Sequence, residues 1–160
     1  MDTHYPLDKL ADIVRRERSR GRSIVLANGC FDLIHVGHIR YLEEARSQGD
    51  LLVVALNSDA SVRRLKGEGR PILQEEERAE ILAAFSCVDF VTIFPEDTVD
   101  QVLLTLKPDV HAKGSDYTTD NVPEKDTVLG YGGRIAITGG PKVKNTSELI
   151  QKIGATLEHE

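Results

Sequence analysis

Two histidines three residues apart, His35 and His38, bracket a glycine in the run Asn28-Gly29-Cys30-Phe31-Asp32-Leu33-Ile34-His35-Val36-Gly37-His38. The run follows an apolar, β-rich stretch and leads into a helical stripe of Ile39, Leu42 and Ala45, which makes it a strand-to-helix loop. At a helix start, free backbone amides and the positive end of the dipole favour an anion, and two imidazoles can donate hydrogen bonds to the oxygens of a reacting phosphate. Gly37 leaves room for a ligand to approach the backbone. The same pair could instead hold a metal, sit on the surface or simply open the helix. Zinc would want a third and usually a fourth ligand, for which His111 is the candidate, and no acidic residue stands between the pair as in HExxH. GxGxxG is missing from the loop, which sets aside the dinucleotide fingerprint. The strand-loop-helix context favours phosphate.

The elements that must position this loop alternate along the chain. Ser23–Asn28, Leu51–Asn57, Phe90–Ile93, Val110–Ala112 and Arg134–Thr138 are predicted strands, with helices expected over 7–20, 38–48, 59–66, 75–85, 97–106 and 146–153. This pattern predicts an α/β fold, a Rossmann-like, doubly wound five-stranded parallel sheet with helices on both faces. Ligands of such folds bind at the C-terminal ends of the strands, here the loops after strands one, two, four and five. The stretch after helix 59–66, rich in glycine and closed by Pro71, is expected to be a mobile loop, and the tail from Leu157 to Glu160 is expected to be loose.

Composition bounds the rest. A chain of 160 residues fits one domain, with its core over about 22–153, and can bury a core without disulfides. With 40% hydrophobic and 29% charged residues it is an ordinary globular sequence, and no apolar run approaches the roughly 20 residues of a membrane helix. The start has no signal-peptide core, and Cys30 and Cys87 form no CxxC pair, so a reducing, cytoplasmic setting is expected. The net charge is −6, so neither nucleic acid nor an acidic membrane surface is an expected partner, and any anion must be held locally.

The stretch GCFDLIHVGHIRYLEEARSQGDLLVVALNSD resembles the opening half of the HxGH nucleotidyltransferases, a cytidylyltransferase-like superfamily. Together with LNSDASVRRLKGEGRPI, the acidic run ending in Glu77-Arg78, FPEDT and AKGSDY, it is similar to the bacterial heptose 1-phosphate adenylyltransferases, including the C-terminal half of the bifunctional heptose kinase/adenylyltransferase. The resemblance covers about residues 22–153. It implies transfer of AMP from ATP, with Mg²⁺, to D-glycero-β-D-manno-heptose 1-phosphate, giving ADP-heptose for lipopolysaccharide core and related glycans; a separate kinase would supply the substrate. The size of the family's units suggests a homodimer.

Carried over by position, the resemblance makes His35, His38 and Lys113 the catalytic donors to the phosphates. Asn28, Gly29, Cys30, Phe31 and Gly37 would surround the nucleotide, and Asn145-Thr146-Ser147 would hold the β- and γ-phosphates. Asn145 stands where the family has serine and Ser115 where it has glycine. Mg²⁺ would be carried mainly by the triphosphate, with no dedicated protein ligands. The resemblance puts Asn57 and Asp59 in the sugar-phosphate pocket, although Ser58 or Asp59 could equally cap the helix that begins there, and Arg63, Arg64 and Lys66, in the densest basic segment of an acidic chain, are expected to contact the same anion. Arg70 extends the basic cluster, which could also be a solvated face. Lys142 and Lys144 form a second cluster that could reach the triphosphate. Glu75, Glu76 and Glu77 complement a helix dipole, Arg78 could brace the site, and Cys30 is not expected to be a nucleophile. Two readings stand beside the heptose enzyme: a cytidylyltransferase for glycerol 3-phosphate or another alcohol phosphate, and a nucleotide sensor without turnover.

Overall fold

The computed structural model describes residues 3–141 and 145–158. Strands β1 (Ile24–Gly29), β2 (Leu51–Asn57), β3 (Phe90–Phe94), β4 (Val110–Gly114) and β5 (Arg134–Thr138) form one all-parallel sheet in the order β3-β2-β1-β4-β5. The helices are α1 (Leu7–Ser19), α2 (Val36–Arg46), α3 (Asp59–Lys66), α4 (Glu75–Ala83), α5 (Asp100–Leu106), α6 (Lys125–Gly130) and α7 (Thr146–Glu158). This is the Rossmann-like α/β architecture that the alternation predicts.

Side chains of a strand alternate between faces, so the continuous apolar runs of β1 and β2 feed two cores. On one face Val25, Ala27, Leu52, Val54 and Leu56 pack against Leu42 and Ala45 of α2 and Ala79 and Leu82 of α4. On the other, Ile24, Leu26, Leu51, Val53 and Ala55 meet Leu10 and Val14 of α1, Val102, Leu103 and Leu106 of α5, and Val128 of α6. No described helix is long and apolar enough to cross a membrane.

Three aspartates fix the N-terminal end of the sheet. Asp50, Asp89 and Asp109 each stand one residue before a strand, and each carboxylate accepts from an amide at the start of its neighbour: Ser23, Leu52 and Ile24, all at 2.8 Å. Unpaired amides at a buried strand start would be costly, so these side chains close the ladder where no further strand residue can.

Helix boundaries depart from the sequence pattern for identifiable reasons. α2 starts at Val36 rather than 38 because His35 itself is the cap. α5 starts at Asp100 rather than 97, and α7 runs on to Glu158, so Leu157 and Glu158 are helical rather than loose. α6 is absent from the periodicity because it has six residues and buries only Val128.

Candidate active site

From β1 the chain steps outward to β2 and β3, then crosses back to β4 on the other side of β1. The strand order therefore reverses between β1 and β4, and the crevice beyond their C-terminal ends is the expected ligand site. A cavity of about 690 Å³ opens there. Asn28 and Gly29 from β1, Lys113 and Gly114 from β4, His35 at the cap of α2, His38 in its first turn and the first residues of α7 all line it.

The two imidazoles form a reciprocal cap. His35 Nδ1 accepts from the Gly37 amide at 3.1 Å, and His38 Nδ1 accepts from the His35 amide at 3.1 Å. An Nδ1 that accepts cannot carry the proton, so each neutral ring carries it on Nε2. Burial lowers the pKa of both, and for His38 burial and then the neighbouring His35 bring it to about 4. At neutral pH the pair thus presents two neutral Nε2–H donors. The Gly37 amide, expected from sequence to be free for an anion, is already donated to His35, so the helix terminus acts on a ligand through the imidazoles.

Phe31 holds this pair in place. It adopts a left-handed backbone (φ 47°), a strained conformation for a bulky residue, and its ring packs against His38 with centroids 5.4 Å apart. A side chain at Gly29 would meet that ring at 3.2 Å, which accounts for the glycine at the end of β1. Phe31 is 4% exposed, so it shapes the wall more than it offers a surface to a base.

Beneath the cavity His111 is fully buried, with Nε2 2.8 Å from Asn28 Oδ1. Burial, followed by the charge on Lys113, brings its pKa to about 3, so it stays neutral. His111 therefore serves Asn28 instead of a metal, and among the described residues no three His, Cys, Asp or Glu side chains gather as a metal site. Lys113 is 8% exposed; burial lowers its pKa and Glu124 counters that shift. Burial pushes the Cys30 thiol up despite the cations Lys66, Arg78 and Arg70, so the side chain is a neutral thiol and no activated nucleophile.

Arg78 is the brace. Fully buried, it donates to the carbonyls of Leu73 (2.9 Å), Cys30 (2.7 Å) and Asn57 (2.8 Å), and to Asp59 Oδ1 (2.8 Å). One guanidinium so joins the loop after β1, the end of β2 and the start of α3, which its five-donor fork permits and a lysine would not.

The predicted sugar-phosphate residues separate in space. Asn57 and Lys66 line the cavity, while Asp59, Arg63 and Arg64 are not among the lining residues. Asp59 is engaged by Arg78, and Arg64 by Asp97 (2.8 Å) and the Pro95 carbonyl (2.6 Å). The cap of α3 is Ser58, which accepts from Ser61, and Glu75 accepts from the Asp59 amide at 2.9 Å. Glu75 thus supports a neighbouring helix start.

The segment expected to be mobile is tied at its far end. Asp32, 1% exposed, accepts from the Ile72 and Leu73 amides (2.8 and 2.9 Å) and from Arg70 (3.0 Å). Burial works to raise this carboxyl, but the two amides and the guanidinium outweigh it and hold the pKa below the usual range. Asp32, Tyr41, Tyr117 and Glu124 line the cavity without having been singled out in the sequence; Asp32 and Tyr41 are recognisable only through partners distant in the chain, Arg70 and the Ala112 carbonyl.

At α7, Asn145 keeps the capping function: its Oδ1 accepts from the Glu148 amide at 2.7 Å. Thr146 donates to the Leu33 carbonyl at 3.2 Å, and Asn145, Thr146, Ser147 and Ser115 all line the cavity. Lys142 and Lys144 lie outside the described residues.

A family model described as cytidylyltransferase-like matches residues 26–139, the segment that runs from within β1 to just past β5 and includes the histidine pair. The chain belongs to the cytidylyltransferase-like family. This places it among the nucleotidyltransferases. Similar curated proteins include the bifunctional protein HldE of Geobacter metallireducens, 55% identical over 92% of this chain, and that of Geotalea uraniireducens, 56% identical over the same share. The chain spans about 30% of the length of either. Among solved structures, the lipopolysaccharide core biosynthesis protein of Thermoplasma volcanium is 30% identical with a TM-score of 0.63, over 73% of this chain and 94% of that one. Pantothenate synthetase of Thermus thermophilus, at 16% identity and a TM-score of 0.59 over 91% of this chain and 63% of its own, shares the fold.

Proposed function

We propose that the protein transfers AMP from ATP to D-glycero-β-D-manno-heptose 1-phosphate, giving ADP-heptose and pyrophosphate. The observation that carries phosphate chemistry is the reciprocal histidine cap, which turns two Nε2–H groups into fixed donors on a cavity shared with Lys113. The heptose acceptor is supported by the HldE relatives, which match 92% of the chain.

A phosphate oxygen of the sugar phosphate attacks the α-phosphorus of ATP, a new P–O bond forms, and the bond to the bridging oxygen breaks with its electrons leaving on pyrophosphate. No general base is required, because a phosphate monoester with a second pKa of about 6 is already anionic at neutral pH. His35, His38 and Lys113 stabilise charge on the α-phosphate and the leaving group, and the first turn of α7 offers amides to the distal phosphates. Because each Nδ1 already accepts from a backbone amide, the rings serve the phosphates as neutral Nε2–H donors held in fixed directions.

Mg²⁺ would neutralise triphosphate charge and be carried by the nucleotide. That fits a cavity whose carboxylates are otherwise engaged, Asp32 by Arg70 and two amides, Glu124 by Lys113 and Asp97 by Arg64. Work on a phosphorylated metabolite also supports a cytoplasmic location, and a homodimer remains the oligomer we propose.

The test is pyrophosphate release with ATP, Mg²⁺ and the heptose 1-phosphate, run beside CTP with glycerol 3-phosphate. Turnover on the first pair alone is expected. Turnover on the second pair alone would replace the acceptor and base, and tight ATP binding with no turnover on any sugar phosphate would favour the sensor.

A further inference from the structure

Lys113 and Glu124 reach the cavity from opposite sides of a largely exposed loop, and both are buried, at 8% and 7% exposure. Their charged atoms stand 3.8 Å apart, an ion pair longer than a hydrogen bond. Glu124 Oε2 has no hydrogen-bond partner among the described residues. Glu124 is also the N-cap residue of α6, yet its side chain makes no capping hydrogen bond. A buried carboxylate that leaves its own helix uncapped and accepts no hydrogen bond at one oxygen is an expensive arrangement. It is explained if the carboxylate is kept for the lysine.

We propose that Glu124 is a positioning residue that serves as the resident counter-ion of Lys113, keeping the ammonium charged and held at the cavity until an incoming triphosphate takes the lysine over. Burial alone draws the Lys113 pKa down, and Glu124 is the group that raises it again. The Tyr117 ring, 4.6 Å from Nζ, adds a cation–π contact that a neutral amine would lose. A polyanion brings several negative charges against the single charge of Glu124, so the exchange favours the ligand while the site never holds an unpaired buried cation.

The proposal rests on the reading that this cavity accepts a triphosphate, and a probe without base or acceptor separates it from the identity of the reaction. Inorganic tripolyphosphate binding is measured by calorimetry from pH 7 to 9.5 for wild type, E124Q, E124D and K113M, with circular dichroism to verify folding. Dividing each variant's Kd by that of wild type at the same pH removes the ligand's own titration. Among other titratable groups, His111 on β4 and Tyr117 on the loop interact with Lys113, and His38 and Tyr41 on α2 and Asp116 on the loop line the same cavity. Burial keeps the two histidines neutral and Tyr41 protonated across this window.

For E124Q the ratio should rise on the order of tenfold between pH 7 and 9.5, as the unguarded lysine loses its proton. E124D should lie between E124Q and wild type, and K113M should show a large ratio that does not rise with pH. A ratio for E124Q that stays constant with pH would mean that Glu124 is merely structural and overturns the proposal, as would an E124D ratio as steep as that of E124Q. Tripolyphosphate that fails to bind wild type overturns both this and the triphosphate reading. The predicted pH split in a protein that turns over no heptose 1-phosphate would leave the counter-ion standing and remove only the acceptor.

Discussion

At the N-terminal ends of the strands, Asp50, Asp89 and Asp109 each accept from a backbone amide, so charge there is spent on closing the sheet. At the C-terminal ends of β1 and β4 the arrangement is reversed: the backbone is closed by the Nδ1 atoms of His35 and His38, and the remaining donors face a cavity. The fold is the same at both ends, yet one end consumes its polar groups internally and the other leaves a surplus of donors. On the proposed reading, a protein of net charge −6 would hold a triphosphate because the surplus is confined to that second end.

Substitutions should divide along this line, and the largest effect is expected at the brace behind the donors. Arg78→Met strips donors from three carbonyls and leaves Asp59 without its partner, which should cost about 3–5 kcal/mol. Thermal unfolding would register this as a Tm lower by roughly 10 °C. Arg78→Lys should recover little, since an ammonium cannot span the four acceptors; a lysine variant as stable as wild type would show that the fork is not what holds the site end together. His38→Ala comes next. It should lower kcat by about 10²–10³-fold, while losing the cap costs only about 1 kcal/mol of stability. A loss of stability without a loss of rate would make the imidazole pair a helix start and nothing more.

The division was only half legible in the sequence. All five strands and their parallel direction follow from apolar runs alternating with helical stripes, because buried parallel strands must be apolar on both faces. His35 and His38 could be picked out because their spacing and glycine are local. What could not be read was which polar groups are consumed: Asp32 meets Arg70 and the 72–73 amides about forty positions away, Arg64 meets Asp97, and Lys113 meets Glu124 across a loop. A basic cluster is visible in sequence, but that Lys66 and Arg70 line the cavity while Arg64 is engaged by Asp97 is identified only by the folded surface. α6 escaped because a single buried valine gives no periodicity.

Acid should expose the same asymmetry. Burial depresses the folded pKa values of His35, His38 and His111, the last two to about 4 and about 3. Their unfolded values are near 6.5, so between these limits the unfolded chain binds more protons, and stability is full above about pH 6.5 and falls as pH decreases. Asp32 enters later: its folded value lies below the ordinary carboxylate range, so its contribution persists above about pH 4 and disappears only below that. Urea unfolding at pH 6.5, 5.5 and 4.5 should therefore give His111→Asn a slope shallower by about one proton, or ~1.4 kcal/mol per pH unit, whatever its baseline stability. A slope equal to that of wild type would mean that His111 is not held neutral beneath Asn28.

The smallest effect belongs to the N-terminal end. Asp89→Asn keeps an oxygen for the Leu52 amide but removes the charge from that hydrogen bond and from the 3.0 Å pair with Arg46. The expected cost is about 1 kcal/mol, a Tm shift of a few degrees, with kcat and KM unchanged, because the altered bond lies at the opposite end of β2 from Asn57. Set beside His38→Ala, this variant is the control that gives the comparison its force: similar loss of stability, opposite consequence for catalysis. If Asp89→Asn also lowered kcat tenfold, the two ends would be mechanically coupled through β2, and the donors at the C-terminal end could no longer be treated as positioned by Arg78 and the histidine cap alone.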